Sequence, residues 1–114
     1  MAVNHSNQIL LTENNSTIVL DIIKNKKALY ILRAINHPLR LSIIELLDKK
    51  HTLTVTEIYT QLNIQQAVIS QNLAVLRRAG FVTTKKESKY VYYMLSYKYL
   101  SHFTKNVSQL LNTD

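Results

Sequence analysis

The stretch LNIQQAVISQNLAVLRRAGFV, residues 62–82, presents amide and hydroxyl side chains first and arginines afterwards. Gln65, Gln66, Ser70 and Gln71 carry donors and acceptors of the kind that read base edges in a DNA groove, glutamine being suited to adenine. Ala67 is small and Val68 apolar, so either can approach a thymine methyl. Arg77 and Arg78 follow at the far end, where guanidinium groups can bond phosphates, contacts that position a protein without selecting sequence. The competing reading is a solvated surface helix, and the surrounding elements must decide between the two.

No other set of residues suggests chemistry. With no cysteine in the chain there is neither a disulfide framework nor thiol chemistry. His5, His37, His51 and His102 are too far apart in sequence to form an i, i+4 ligand pair, and a metal site needs three or four ligands. His102 is read as a packing or surface residue. The acidic residues are few and scattered, so no Ser–His–acid arrangement emerges, and a single glycine leaves no phosphate-cradling loop. We expect no enzyme, no metal and no cofactor.

A length of 114 residues and an apolar content of 46% suit one domain with one core. The longest apolar runs are too short to span a bilayer, and the start MAVNHSNQILLTENNS lacks the basic, apolar and small-residue parts of a secretion signal. The expected compartment is the cytoplasm. Net charge is +7, and most of it falls between Arg77 and Lys98, where Arg77, Arg78, Lys85, Lys86, Lys89 and Lys98 face Glu87 alone. A patch so concentrated is the footprint of a polyanion binder; lysines merely pointing at water are the plain alternative.

The elements follow in a definite order. Residues 1–16 are polar and aperiodic and are expected to form a flexible arm, with a domain over 17–112. Ser16 or Thr17 can cap a first helix starting near Ile18, with Asp21 in its first turn. Pro38 suits the first turn of a second helix, about 38–49. His51 to Thr54 is enough for a small strand. Thr54 and Glu57 form a capping-box pattern that opens a short third helix ending near Leu62. The fourth helix, about Gln66 to Ala79, stops at Gly80. Residues 81–86 and 90–95 read as two strands around a tight turn, and a last helix covers about 97–111.

On a helical wheel Ile69, Leu73 and Leu76 share one stripe and must face the core. The opposite side presents Ala67, Gln71, Ala74 and Arg78, flanked by Ser70 and Arg77. A short helix, a tight turn and this second helix make a helix-turn-helix unit. The hairpin after Gly80, with Lys85, Lys86, Ser88 and Lys89 near its tip, is then a wing that grips the adjacent backbone. Among the tyrosines, strand alternation sends Tyr93 inward and Tyr90 and Tyr92 outward.

NHPLRLSIIELL (36–47), TLTVTEI (52–58), IQQAVISQNLAVLRRAGFV (64–82) and VYYML (91–95), in this order and spacing, resemble the ArsR/SmtB family of bacterial repressors. The resemblance covers roughly residues 32–111. It implies a mainly α fold with a small β-hairpin, ordered α-α-β-α-α-β-β-α. It also implies a homodimer, paired through its first and last helices, that binds a palindromic DNA operator. The family's metal-sensing members carry cysteines where this chain has Thr54 and Thr56, and hydroxyls are poor ligands for thiophilic metals. Its other site uses carboxylates and imidazoles on the last helix, where this chain has His102 with Tyr97 and Tyr99. The wing tip has Ser88 and Lys89 where the family often has glycine.

The apolar positions Ile18, Ile22 and Ile23 at one end and Leu100, Phe103, Val107 and Leu110 at the other exceed what a winged core of this size can cover, and are assigned to a dimer seam. The functional expectation is a sequence-specific DNA-binding regulator, acting as a repressor. The alternative is a winged-helix module for protein–protein contact or for non-specific nucleic-acid binding. No inducer is assigned, and no response to metals or thiol oxidants is expected.

Overall fold

The computed structural model describes residues 7–112, which fall into two compact units divided between Arg33 and Ala34, inside the span 17–112 expected as one domain. Residues 1–6, which form the first part of the expected arm, lie outside the described range.

In the first unit, strand β1 (Gln8–Glu13) pairs antiparallel with β2 (Ser16–Asp21) over six residue pairs, from Gln8↔Asp21 to Glu13↔Ser16. Asn14 and Asn15 between them both have positive φ, 51° and 65°. A two-residue turn with both positions left-handed matches the right-handed twist of a hairpin, and asparagine tolerates that conformation. Residues 8–16, expected to be part of a flexible arm, thus form strand β1, the turn and the first residue of β2. Helix α1 (Ile22–Ile35) starts four residues later than expected, so Ile18 belongs to strand β2 and not to the helix. Its cap is Asp21, neither Ser16 nor Thr17: the Asp21 carboxylate accepts from the Lys24 N–H at 3.0 Å, which holds its pKa below the ordinary carboxylate value. None of residues 7–33 is buried.

The second unit follows the expected order closely. Helix α2 (Pro38–Lys50) opens with proline at its first position, and His37 Nδ1 accepts from the Leu39 N–H at 3.2 Å. The two-residue strand β3 (Leu53–Thr54) leads into α3 (Val55–Leu62). There Thr54 N–H donates to Glu57 at 2.9 Å and the Thr54 hydroxyl accepts from Glu57 N–H at 3.2 Å, completing the capping box. Asn63, left-handed at φ 55°, ends α3 and turns the chain into α4 (Gln66–Ala79). Strands β4 (Val82–Glu87) and β5 (Tyr90–Leu95) form the hairpin, with β3 on the outer side of β5, giving the order β3-β5-β4.

Its core is made where the helical stripes meet this sheet. Ile43 and Leu47 of α2, Ile58 of α3, Ile69, Leu73 and Leu76 of α4 and Phe81 have no exposed surface. Helix α5 (Tyr97–Leu111) is fastened by aromatic contacts, with Phe81 edge-on to Tyr99 and to Phe103, each at 5.2 Å between ring centroids. Gly80, at φ 98°, ends α4 in the left-handed region, and a Cβ there would lie 3.1 Å from the Tyr99 ring. The Tyr97 hydroxyl donates to Asp48 at 2.6 Å, tying α5 to α2. No helix among the described residues is long and apolar enough to cross a membrane.

Candidate nucleic-acid interface

The burial of Ile69, Leu73 and Leu76 fixes which way α4 faces. With that stripe inward, Gln66, Ala67, Ser70, Gln71 and Ala74 are exposed, as is Gln65 at the N-cap, while Val68 is half-buried. Of the residues the sequence sets out for base contacts, Gln65, Gln66, Ala67, Ser70 and Gln71 are thus open to solvent, and Val68 only partly so. No side chain caps α4. Open N–H groups at a helix start favour an anionic acceptor.

Arg77 and Arg78 are exposed in the last turn of α4, and Arg78 Nε also donates to the Ala74 carbonyl at 3.3 Å. Both also complement the negative end of the helix dipole, which would hold for a plain surface helix too. Beside them lies an open depression lined by Ser70, Ala74, Arg77, Arg78 and Tyr93. Tyr93, expected to face inward, and Tyr92, expected to face outward, are both half-buried, and Tyr93 borders this depression. Its place beside the arginines was not assigned from sequence, because alternation gives the face of a side chain and not its neighbours.

On the hairpin, Lys85, Lys86, Ser88 and Lys89 are all exposed, and Ser88 takes the left-handed conformation (φ 57°) in place of a glycine. The cations are not equivalent. Lys85 lies 3.1 Å from Glu87, and Lys89 sits 5.4 Å above the Tyr90 ring. The Lys85–Glu87 pair is solvent-exposed and contributes little to stability, but it dilutes the charge a polyanion would meet.

A positioning residue escaped the sequence reading altogether. Arg40 of α2 donates from Nη1 to the Asn72 side-chain oxygen at 2.9 Å and from Nε to the Ala34 carbonyl. Asn72 donates in turn to the Val68 carbonyl at 2.8 Å. Asn72 is one of the polar residues of α4 that faces its own protein, and nothing in local spacing announces a partner 32 residues away.

The residues assigned to the dimer seam belong to both units. Ile18 and Ile23 are exposed and Ile22 is half-buried, all in the first unit. On α5, Leu110 is 72% exposed and Leu111 is 74% exposed, whereas Leu100, Phe103 and Val107 are half-buried. Phe103 packs on Phe81 of its own chain, so it serves the protomer whatever else it touches. Thr54, which stands where a thiolate would be needed for metal sensing, has its hydroxyl engaged by Glu57. Among the described residues no group of three or more His, Cys, Asp or Glu is placed to hold a metal ion.

A helix-turn-helix with a following β-hairpin and a polar, exposed second helix defines a winged helix-turn-helix protein. Residues 37–84 match the family described as bacterial regulatory protein, arsR family. The chain is 44% identical over 71 residues to the transcriptional activator HlyU of Vibrio cholerae, covering 61% of this chain and 64% of that protein's length. It is 32% identical to an uncharacterised HTH-type transcriptional regulator of Methanocaldococcus jannaschii, over 76% of this chain and 98% of the relative. Among solved structures, HlyU from Vibrio vulnificus superposes with a TM-score of 0.58 at 36% identity, over 77% of this chain and 91% of that one. The chain belongs to the ArsR family of bacterial regulatory proteins.

Proposed function

We propose that this regulator binds a specific double-stranded DNA operator as a homodimer in the cytoplasm and represses by occupying it. In this reading α4 enters the major groove. Gln65, Gln66, Ser70 and Gln71 contact base edges and Ala67 and Val68 meet thymine methyls. Arg77, Arg78, Lys85, Lys86, Ser88 and Lys89 hold the phosphates on either side. The observation that carries it is the division of α4 into a stripe with no exposed surface and an opposite face of exposed amides, hydroxyls and small residues. A solvated surface helix would share that division; what favours base reading is the place of α4, after a short helix and a tight turn and before a basic hairpin, in a chain of the ArsR family.

Dimerisation is supported by Leu110 and Leu111, large apolar side chains left almost fully open at the end of α5. A two-fold pair sets its recognition helices about 34 Å apart, one helical turn of DNA. The test is Gln71→Ala. It should weaken binding to the best operator by about 1–3 kcal/mol and relax preference at one base pair. Folding should be unaffected, since Gln71 is exposed. A variant that keeps the full sequence preference removes this face from base reading. Equal affinity of the wild type for all sequences would favour non-specific coating instead.

A further inference from the structure

The first unit has a hairpin and a helix but no core. From Asn7 to Arg33 not one residue is buried, while Leu10, Ile18, Val19, Leu20, Ile23 and Leu29 are each between 41% and 55% exposed. An isolated two-stranded hairpin is marginal in water. Units below about 40 residues usually need disulfides, a metal or oligomerisation to stay folded. The chain has no cysteine, and the described residues offer no metal-binding group, so of those devices association is the one its sequence can supply.

The strands are built to associate. On one face the register sets Ile9 opposite Leu20 and Leu11 opposite Ile18, an apolar patch of four side chains; Leu10 and Val19 stand on the other face. Neither strand contains lysine, arginine, proline or a bulge, the devices that natural proteins use to blunt an open edge. Charge is divided within the unit: the hairpin carries only Glu13 and Asp21, whereas α1 carries Lys24, Lys26, Lys27 and Arg33. Two copies related by a two-fold axis can therefore set each acidic hairpin against the other's basic helix, an isologous arrangement that opposes unlike charges. The length of the unit also matches the roughly 20–30 residues that a standard interface takes from each partner.

We propose that the β1–β2 hairpin is a dimerisation element, its apolar face covered by the first unit of a second copy of this chain. The proposal rests on the homodimer reading and adds the hairpin to the residues of α5 as an element that joins the two copies.

The double variant Ile18→Lys/Leu20→Lys tests it in the full-length protein, by sedimentation over a concentration series beside the wild type. Both side chains are exposed in the protomer, so the core of the second unit is untouched, and far-UV circular dichroism checks this. The expected result is at least a tenfold weaker dimer. In the wild type, hydrogen exchange should show amides of residues 9–11 and 18–20 protected at concentrations where the dimer forms and fast after dilution to monomer. An unchanged dimer constant, or protection that ignores concentration, overturns the hairpin proposal and leaves the homodimer standing. If that variant instead loses only DNA affinity, the hairpin's partner is the nucleic acid and the proposal is equally overturned. A wild type that stays monomeric at every concentration ends both readings.

Discussion

Arg40 and Asn72 are joined by a hydrogen bond of 2.9 Å that ties α2 to α4. Through the second bond of each partner, the same link reaches the Ala34 carbonyl in the last turn of α1 and the Val68 carbonyl in α4. The end of the first helix and the turn that presents Val68 are thereby held by one guanidinium and one amide. Asn72→Ala removes the acceptor from a part-buried charged donor and should cost about 1–3 kcal/mol in urea unfolding. Operator affinity should fall as well, under conditions where the variant is fully folded, because α4 loses a fixed point. Unchanged stability would show that water replaces the asparagine without loss.

The wing makes a salt-dependent expectation with an internal control. Lys86→Ala together with Lys89→Ala should reduce the slope of log affinity against log salt by about 0.9 for each phosphate that is no longer neutralised. Glu87→Gln should act in the opposite direction, since it frees Lys85 from its carboxylate partner and raises the local positive charge. Affinity at low salt should rise, and the gain should shrink as salt screens it. A slope that ignores all three positions would take the hairpin off the DNA.

Most of the second unit was legible because its signals are local. The proline at 38, the Thr54–Glu57 box and the glycine at 80 each mark a boundary within a residue or two of where it falls. The stripe Ile69–Leu73–Leu76 likewise gives the orientation of α4 and hence its exposed face. The first unit misled for a local reason too. Ile18 and Ile22 stand four apart, a helical interval, although a strand ends and a helix begins between them. The hairpin had its own signal, two apolar triplets around Asn14-Asn15, which the polar composition of the segment masked. The Arg40–Asn72 link and the depression beside Tyr93 depend on tertiary approach, which spacing along one element does not encode.

The bond from Tyr97 to Asp48 raises the pKa of the tyrosine hydroxyl above its ordinary value, chiefly through that hydrogen bond, with desolvation adding to it. A group whose folded pKa is raised contributes stability below its unfolded pKa and loses it as pH rises through the folded one. The Tyr97–Asp48 contribution should therefore be full at neutral pH and disappear above about pH 10, the ordinary tyrosine value. Comparing thermal midpoints of the wild type and Tyr97→Phe across pH measures it. The two should differ at pH 7 and converge in alkali, and a pH-independent difference would assign the effect to packing alone.

Sequence-specific binding by a two-fold dimer is tested most directly by selecting bound duplexes from a random DNA pool with the full-length protein. The expected product is an enriched site of two inverted half-sites, centred about one helical turn apart, with adenine–thymine pairs where the glutamines of α4 reach. Gln71→Ala should then relax the same position in both halves. Recovery of no preferred sequence, or of a single unrepeated half-site, would contradict it.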